Sequence, residues 1–147
     1  MKNFSVVVDS SLAVFTVVDS ELSQLATRAW NHLLTSSAEF YAPGLWVYET
    51  TSVIRKLNSF GKITESEAEK ALIILDQLSI QFIPDEIQLR KSALKWAIRL
   101  RQKSAYDGFY LAGAEQLGAE FWTADHSLFN NAHQLGVGWV HWMGELA

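Results

Sequence analysis

The sequence predicts an α/β protein: a central, mostly parallel sheet covered by helices on both faces. Two observations carry that expectation. Short apolar runs alternate along the chain with longer stretches of helical period, the pattern of parallel strands joined by crossover helices. The first run, Phe4 to Val8, is also nearly continuous in apolar and β-branched residues, as strands buried on both faces are. A third observation concerns chemistry. Acids stand just after predicted strands or at the start of helices, and that edge of an α/β sheet is where ligands bind.

Composition sets the limits. At 147 residues the expectation is one domain spanning residues 1–147, large enough for a real core. A hydrophobic fraction of 49% fits a compact chain, not a disordered one. The absence of cysteine excludes a disulfide framework, a thiol nucleophile and a thiolate metal site. It fits a reducing cytoplasm, the expected location. Lys2 is followed directly by a strand pattern, with no signal-peptide core. No apolar run approaches the ~20 residues that span a membrane. With a formal net charge of −4, any contact with nucleic acid must rest on a local feature. The six tryptophans are read as large core and interface side chains.

The elements follow in order. Phe4 to Val8 is a buried strand ending at Asp9, and Asp9-Ser10-Ser11 offers N-caps for a helix through Leu12-Ala13-Val14-Phe15. Ser20 to Leu34 is a second helix with Leu22, Leu25, Ala29, Trp30 and Leu33 on its apolar face. Glu39 to Ala42 is a short strand, and Pro43 suits the first turn of a helix running to Phe60. That helix has an inward stripe of Trp46, Thr50, Val53, Leu57 and Phe60, with Glu49 on or beside it. Gly61 closes it. Thr64-x-x-Glu67 is a capping box opening a helix to Leu78. Ile80 to Ile83 is a strand, and Pro84-Asp85 starts a helix to about Gln102. Six of the twelve Lys and Arg residues fall on or just after it; Lys91, Lys95 and Arg99 line one face, with Leu94, Ala97 and Ile98 on the other. Such a row is ordinarily a solvated face, and beside a nuclease cleft it becomes a phosphate-contacting stripe. A small-residue helix from Tyr106 carries Asp107 in its first turn and ends at Gly118. The strand Phe121 to Thr123, Asp125, a short helix from Ser127 to Leu135 and a last strand from Val137 to His141 complete the chain.

Four acids stand out: Asp9, Glu49, Asp107 and Asp125. Each has an ordinary reading as a helix cap or as half of an ion pair, Glu49 with Arg55 or Lys56. All four are also placed to meet at the carboxyl edge of the sheet. Four neighbouring carboxylates raise one another's pKa values unless a cation relieves the repulsion. An oxygen-only ligand set favours Mg²⁺ or Mn²⁺. Such a site suits phosphodiester hydrolysis.

The residues also carry a resemblance. Val6-Val7-Val8-Asp9-Ser10-Ser11, Tyr48-Glu49-Thr50-Thr51-Ser52-Val53-Ile54-Arg55, Ala105-Tyr106-Asp107-Gly108-Phe109-Tyr110-Leu111-Ala112 and Thr123-Ala124-Asp125-His126-Ser127-Leu128 together resemble the PIN-domain family, and within it the VapC-type toxin ribonucleases. The resemblance covers nearly the whole chain. It implies a three-layer α/β/α sandwich and a metal-dependent endoribonuclease, with Asp9, Glu49, Asp107 and Asp125 as the catalytic, metal-binding quartet. It places Ser11 and Thr123 as hydroxyls near the metal. It implies an RNA substrate, a cognate antitoxin as partner in a toxin–antitoxin pair, and a homodimer. Gly108 stands where the family usually has alanine, and Gly113 interrupts the alanine and leucine pattern of the same helix. Two other readings compete: a catalytically inactive interaction module on the same fold, and a receiver-like phosphoacceptor using Asp85. The last lacks a lysine after the late strands.

Overall fold

The computed structural model describes residues 4–146, so Lys2 lies outside the described residues. Five strands form one parallel sheet: β1 (Phe4–Val8), β2 (Ala38–Pro43), β3 (Ile80–Ile83), β4 (Glu120–Thr123) and β5 (Val140–Trp142). Their order is β3-β2-β1-β4-β5. β1 is central because its Val6, Val7 and Val8 have apolar partners on both sides of the pleat and none is exposed. Val6 pairs with Phe40 of β2, and Val8 with Trp122 of β4.

Seven α-helices connect and cover the sheet: α1 (Ser10–Val17), α2 (Ser23–Thr35), α3 (Leu45–Ser59), α4 (Glu65–Asp76), α5 (Ile87–Leu100), α6 (Tyr106–Leu117) and α7 (His126–Gln134). A 3₁₀ turn follows at Met143–Leu146. α6 lies against β1, β2 and β4, and α5 packs on α6; α1 packs with α2, α3 and α4. This is the three-layer α/β architecture expected from the alternation of elements. The chain turns from β1 to β2 on one side and to β4 on the other, so the switch point lies between β1 and β4. There the Asp9 amide donates to the Trp122 carbonyl at 3.2 Å.

Several local expectations hold in detail. β1 and β3 have the predicted bounds. The capping box is complete: the Glu67 amide donates to Thr64 Oγ1, and the Thr64 amide donates back to the Glu67 carboxylate, each at 3.1 Å. Gly118 caps α6 in the left-handed region, at φ 62°. Trp30, Trp46, Trp96 and Trp122 are buried.

Others are corrected. α2 begins at Ser23, because Ser20 bonds with Ser23 to form the turn before it. Pro43 ends β2 instead of opening α3. It pairs with Ile83 beyond the last β1 partner, where its missing N–H leaves no gap in the β1 ladder. The inward stripe of α3 has Trp46 and Thr50 as expected, with Val53 and Leu57 partly buried against the core, and adds Ile54. Phe60 is 68% exposed, because the helix has already ended at Ser59. On α5, Leu94 and Ile98 face solvent, while Leu89, Ala93, Trp96, Ala97 and Leu100 are buried. The reason is the α5–α6 contact: Gly108 lies so close to the Ala93 carbonyl that a Cβ there would sit 2.3 Å from its oxygen. The last strand is shorter than expected, because residues 136–139 are taken up by a turn around Gly136 at φ 80°.

Candidate active site

β1 ends at Asp9, and Asp9 caps α1. Its Oδ1 accepts from the Leu12 amide at 2.8 Å. Its Oδ2 accepts from the Ala124 amide at 3.2 Å and from the Thr123 hydroxyl. Asp9 is therefore a cap and a bridge at once, joining the ends of β1 and β4. Thr123, fully buried, extends the bridge: its Oγ1 accepts from the Asp125 amide at 2.9 Å. Asp125 caps α7, accepting from the Leu128 amide at 3.0 Å. A strand leading into a capped helix thus appears twice, after β1 and after β4, and the two meet because those strands are neighbours.

Glu49 comes from the second turn of α3 and Asp107 from the first turn of α6. Among the described residues no lysine or arginine pairs with Glu49; Arg55 donates to Asn58 at 2.7 Å instead. The partner of Glu49 is Tyr110, one turn past Asp107, whose hydroxyl donates to Glu49 Oε1 at 2.6 Å. Gln102 Nε2 donates to Asp107 Oδ2 at 2.8 Å. Asp9, Glu49, Asp107 and Asp125 line one pocket of about 240 Å³, together with Ser10, Ser11, Ser52, Val53 and Tyr110.

The electrostatics follow from burial. Burial pushes Asp9 up to about 6, with the Asp107 charge adding to the rise, against hydrogen bonds from Thr123, Leu12 and Ala124. Burial also raises Glu49 and Asp107, with Asp107 adding to the first and Asp125 to the second. Burial beside Glu49 holds the Tyr110 phenol far above its ordinary range, so it stays a donor. Neutral donors anchor Glu49 and Asp107 without cancelling their charge. Among the described residues, Glu49 Oε2, Asp107 Oδ1 and Asp125 Oδ2 accept no protein hydrogen bond, and no cationic side chain pairs with any of the four acids.

This donor set fits a hard divalent cation. It is oxygen-only, mutually repelling and without a protein counter-charge. Among the described residues no three ligating groups converge on one point. The fit is to an ion that keeps several of its own waters, as Mg²⁺ does, not to a closed cage.

The pocket gathers the four sequence-predicted acids and Ser11, with Thr123 directly behind Asp9. It does not include Lys91, Lys95 or Arg99. Arg99 folds over the Trp96 ring at 4.3 Å from its centroid. His126 stacks on Trp142 at 4.1 Å and stays outside the pocket. Sequence reasoning missed Tyr110, Gln102 and Ser52. Tyr110 is three residues after Asp107 and Ser52 three after Glu49, so the i+3 spacing was a usable signal for both. Gln102 lies in the turn between α5 and α6, where no period marks it.

A parallel sheet with four carboxylates gathered at its switch point defines an α/β protein with an acidic cleft at the ligand-binding edge of the sheet. The family is shown directly: the PIN domain model matches residues 6–134, and the chain belongs to the PIN domain family. Two solved structures share the fold. The Mycobacterium tuberculosis toxin VapC20, described as cleaving the sarcin-ricin loop, superposes with a TM-score of 0.62 at 17% identity, over 92% of this chain and 96% of that one. PAE2754 from Pyrobaculum aerophilum also gives 0.62, at 18% identity, over 88% of this chain and 87% of that one. No curated protein sequence matches the chain.

Proposed function

We propose that this protein is a Mg²⁺- or Mn²⁺-dependent endoribonuclease that acts as the toxin of a toxin–antitoxin pair. The observation that carries this reading is the pocket itself. Four carboxylates from four separate elements line one cavity, and none has a cationic partner among the described residues. Membership of the PIN family and the fold shared with a toxin that cleaves an RNA loop support it.

In this reading Asp9, Glu49, Asp107 and Asp125 hold the metal. A divalent cation supplies charge for a phosphoryl oxygen and an acidified water. The chain's own residues supply the rest. Thr123 fixes the Asp9 carboxylate, Tyr110 fixes Glu49 and Gln102 fixes Asp107, so the charges are arranged before substrate arrives. A pocket carboxylate raised by burial is suited to accept the proton of the attacking water. The products expected are a 5′-phosphate and a 3′-hydroxyl. The partners in this reading are RNA, a cognate antitoxin and a second copy of the chain, and the setting is the cytoplasm. Among the described residues no helix is long and apolar enough to cross a membrane.

One observation favours the inactive interaction module. Asp9 and Asp125 both cap helices, which by itself accounts for two of the four acids. The test is incubation of total RNA with purified protein in Mg²⁺, in Mn²⁺ and in EDTA, alongside Asp9→Asn. Discrete metal-dependent products that vanish in the variant are expected. Failure to cleave, together with absence of Mn²⁺ binding in calorimetry, refutes the nuclease in favour of the module.

A further inference from the structure

A second cavity, of about 390 Å³, lies between the N-terminal ends of α3, α5 and α6. Its floor is apolar, with Leu45, Ile83, Leu89 and Phe109. Two aromatic rings at its edge are conspicuously uncovered: Tyr48 is 76% exposed and Tyr106 is 61% exposed. Several large aromatics elsewhere pack on one another, as Trp30 does on Phe40 at 4.4 Å. Neither tyrosine ring stacks on another ring among the described residues.

Both rings are tied to the acid pocket by the chain itself. Tyr48 immediately precedes Glu49, and Tyr106 immediately precedes Asp107. Phe109 likewise precedes Tyr110. Successive residues are 3.80 Å apart, so the same turns of α3 and α6 wall the acid pocket on one side and this cavity on the other. We propose that this cavity is a nucleobase subsite, in which Tyr48 and Tyr106 stack on a base of single-stranded RNA whose backbone lies at the acids. The inference rests on the ribonuclease reading above and adds to it how substrate is held.

Charge supports the assignment. Among the described residues the acid pocket has no cationic lining residue, and Lys91, Lys95 and Arg99 lie outside both cavities. Apart from what a bound cation would supply, substrate affinity near the cut therefore draws on something other than lysine or arginine contacts to phosphate. Stacking on aromatic faces supplies it without net charge and tolerates any base. Arg90 sits at the rim, but it is held by Asp85 through two hydrogen bonds of 3.0 Å each. Its remaining N–H donors and the Asp85 carboxylate offer a base edge one donor group and one acceptor group.

The test uses full-length protein carrying Asp9→Asn to stop cleavage, and measures binding of a labelled single-stranded RNA oligonucleotide by anisotropy. Tyr48→Ala and Tyr106→Ala are expected to weaken binding by about 5- to 150-fold each, the range of one lost base–aromatic stack. Tyr48→Phe and Tyr106→Phe keep the stack and retain the affinity. An oligonucleotide abasic at the stacked position loses affinity for the parent and loses none for the variant carrying both Tyr48→Ala and Tyr106→Ala. In the cleaving background the alanine variants raise KM more than they lower kcat. Alanine variants that bind like the parent overturn the subsite and leave the nuclease intact. If the alanine variants instead change the sedimentation of the protein, the face is an interface between copies and the subsite is wrong. A parent that neither binds nor cleaves RNA overturns the ribonuclease reading, and this one with it.

Discussion

The metal-free protein is expected to lose stability as pH rises from 4 to 7, the reverse of the usual acid-lability of a folded domain. The perturbation is pH alone, in EDTA. The Asp9 pKa rises from 3.8 unfolded to about 6 folded. Between those values the folded state binds the proton that the unfolded state has released, so stability falls as the proton is lost. A shift of that size corresponds to about 3 kcal/mol at most. Glu49 and Asp107 shift in the same direction and add to the effect. In a domain of this length, 1 kcal/mol moves Tm by roughly 2–4 °C, so Asp9 alone accounts for a fall of up to about 10 °C. The assay is thermal unfolding at pH 4.5, 6 and 7.5. Adding Mn²⁺ at pH 7.5 restores the loss, with Tm rising as the logarithm of its concentration. A metal-free Tm that rises steadily to pH 7.5, or one that Mn²⁺ leaves unchanged, refutes the account of the pocket as uncompensated buried charge.

Two further outcomes test the supports of the site. Tyr110→Phe removes the only protein donor to Glu49 among the described residues and should weaken Mn²⁺ binding about tenfold in calorimetry, while circular dichroism shows the fold retained. Gly108→Ala improves helix propensity by up to ~1 kcal/mol, yet its Cβ would meet the Ala93 carbonyl oxygen at 2.3 Å. The expected result is a net loss of about 1–3 kcal/mol in urea unfolding, and a neutral or stabilising result would mean that α5 and α6 separate easily.

Much of the fold is legible in the order of residues because its signals are local. β1 declares itself by an unbroken run of β-branched residues, and α4 by a capping box whose partners lie three residues apart. A left-handed glycine marks the end of α6. The misplaced face of α5 and the missed Ile54 of α3 have one cause. A helix can turn several apolar residues inward, and which of them are buried depends on the neighbour it meets. α5 turns Ala93 and Trp96 inward, and not Leu94 and Ile98, because Gly108 lets α6 approach on that side.

The same division runs through the candidate site. The sequence alone determined which acids were anomalous: Asp9 and Asp125 stand where strands end, Asp107 where a helix begins, and Glu49 beside an apolar stripe. These are properties of neighbours in the chain. Only the tertiary structure decided how those acids are held. Placing β4 against β1 brings Thr123 and the Ala124 amide onto Asp9, across more than a hundred residues of chain. Setting the starts of α3 and α6 against the same strand, β2, brings the Tyr110 hydroxyl to Glu49. A hydrogen bond between distant segments leaves no period in the sequence, because its two ends are chosen by the packing of whole elements.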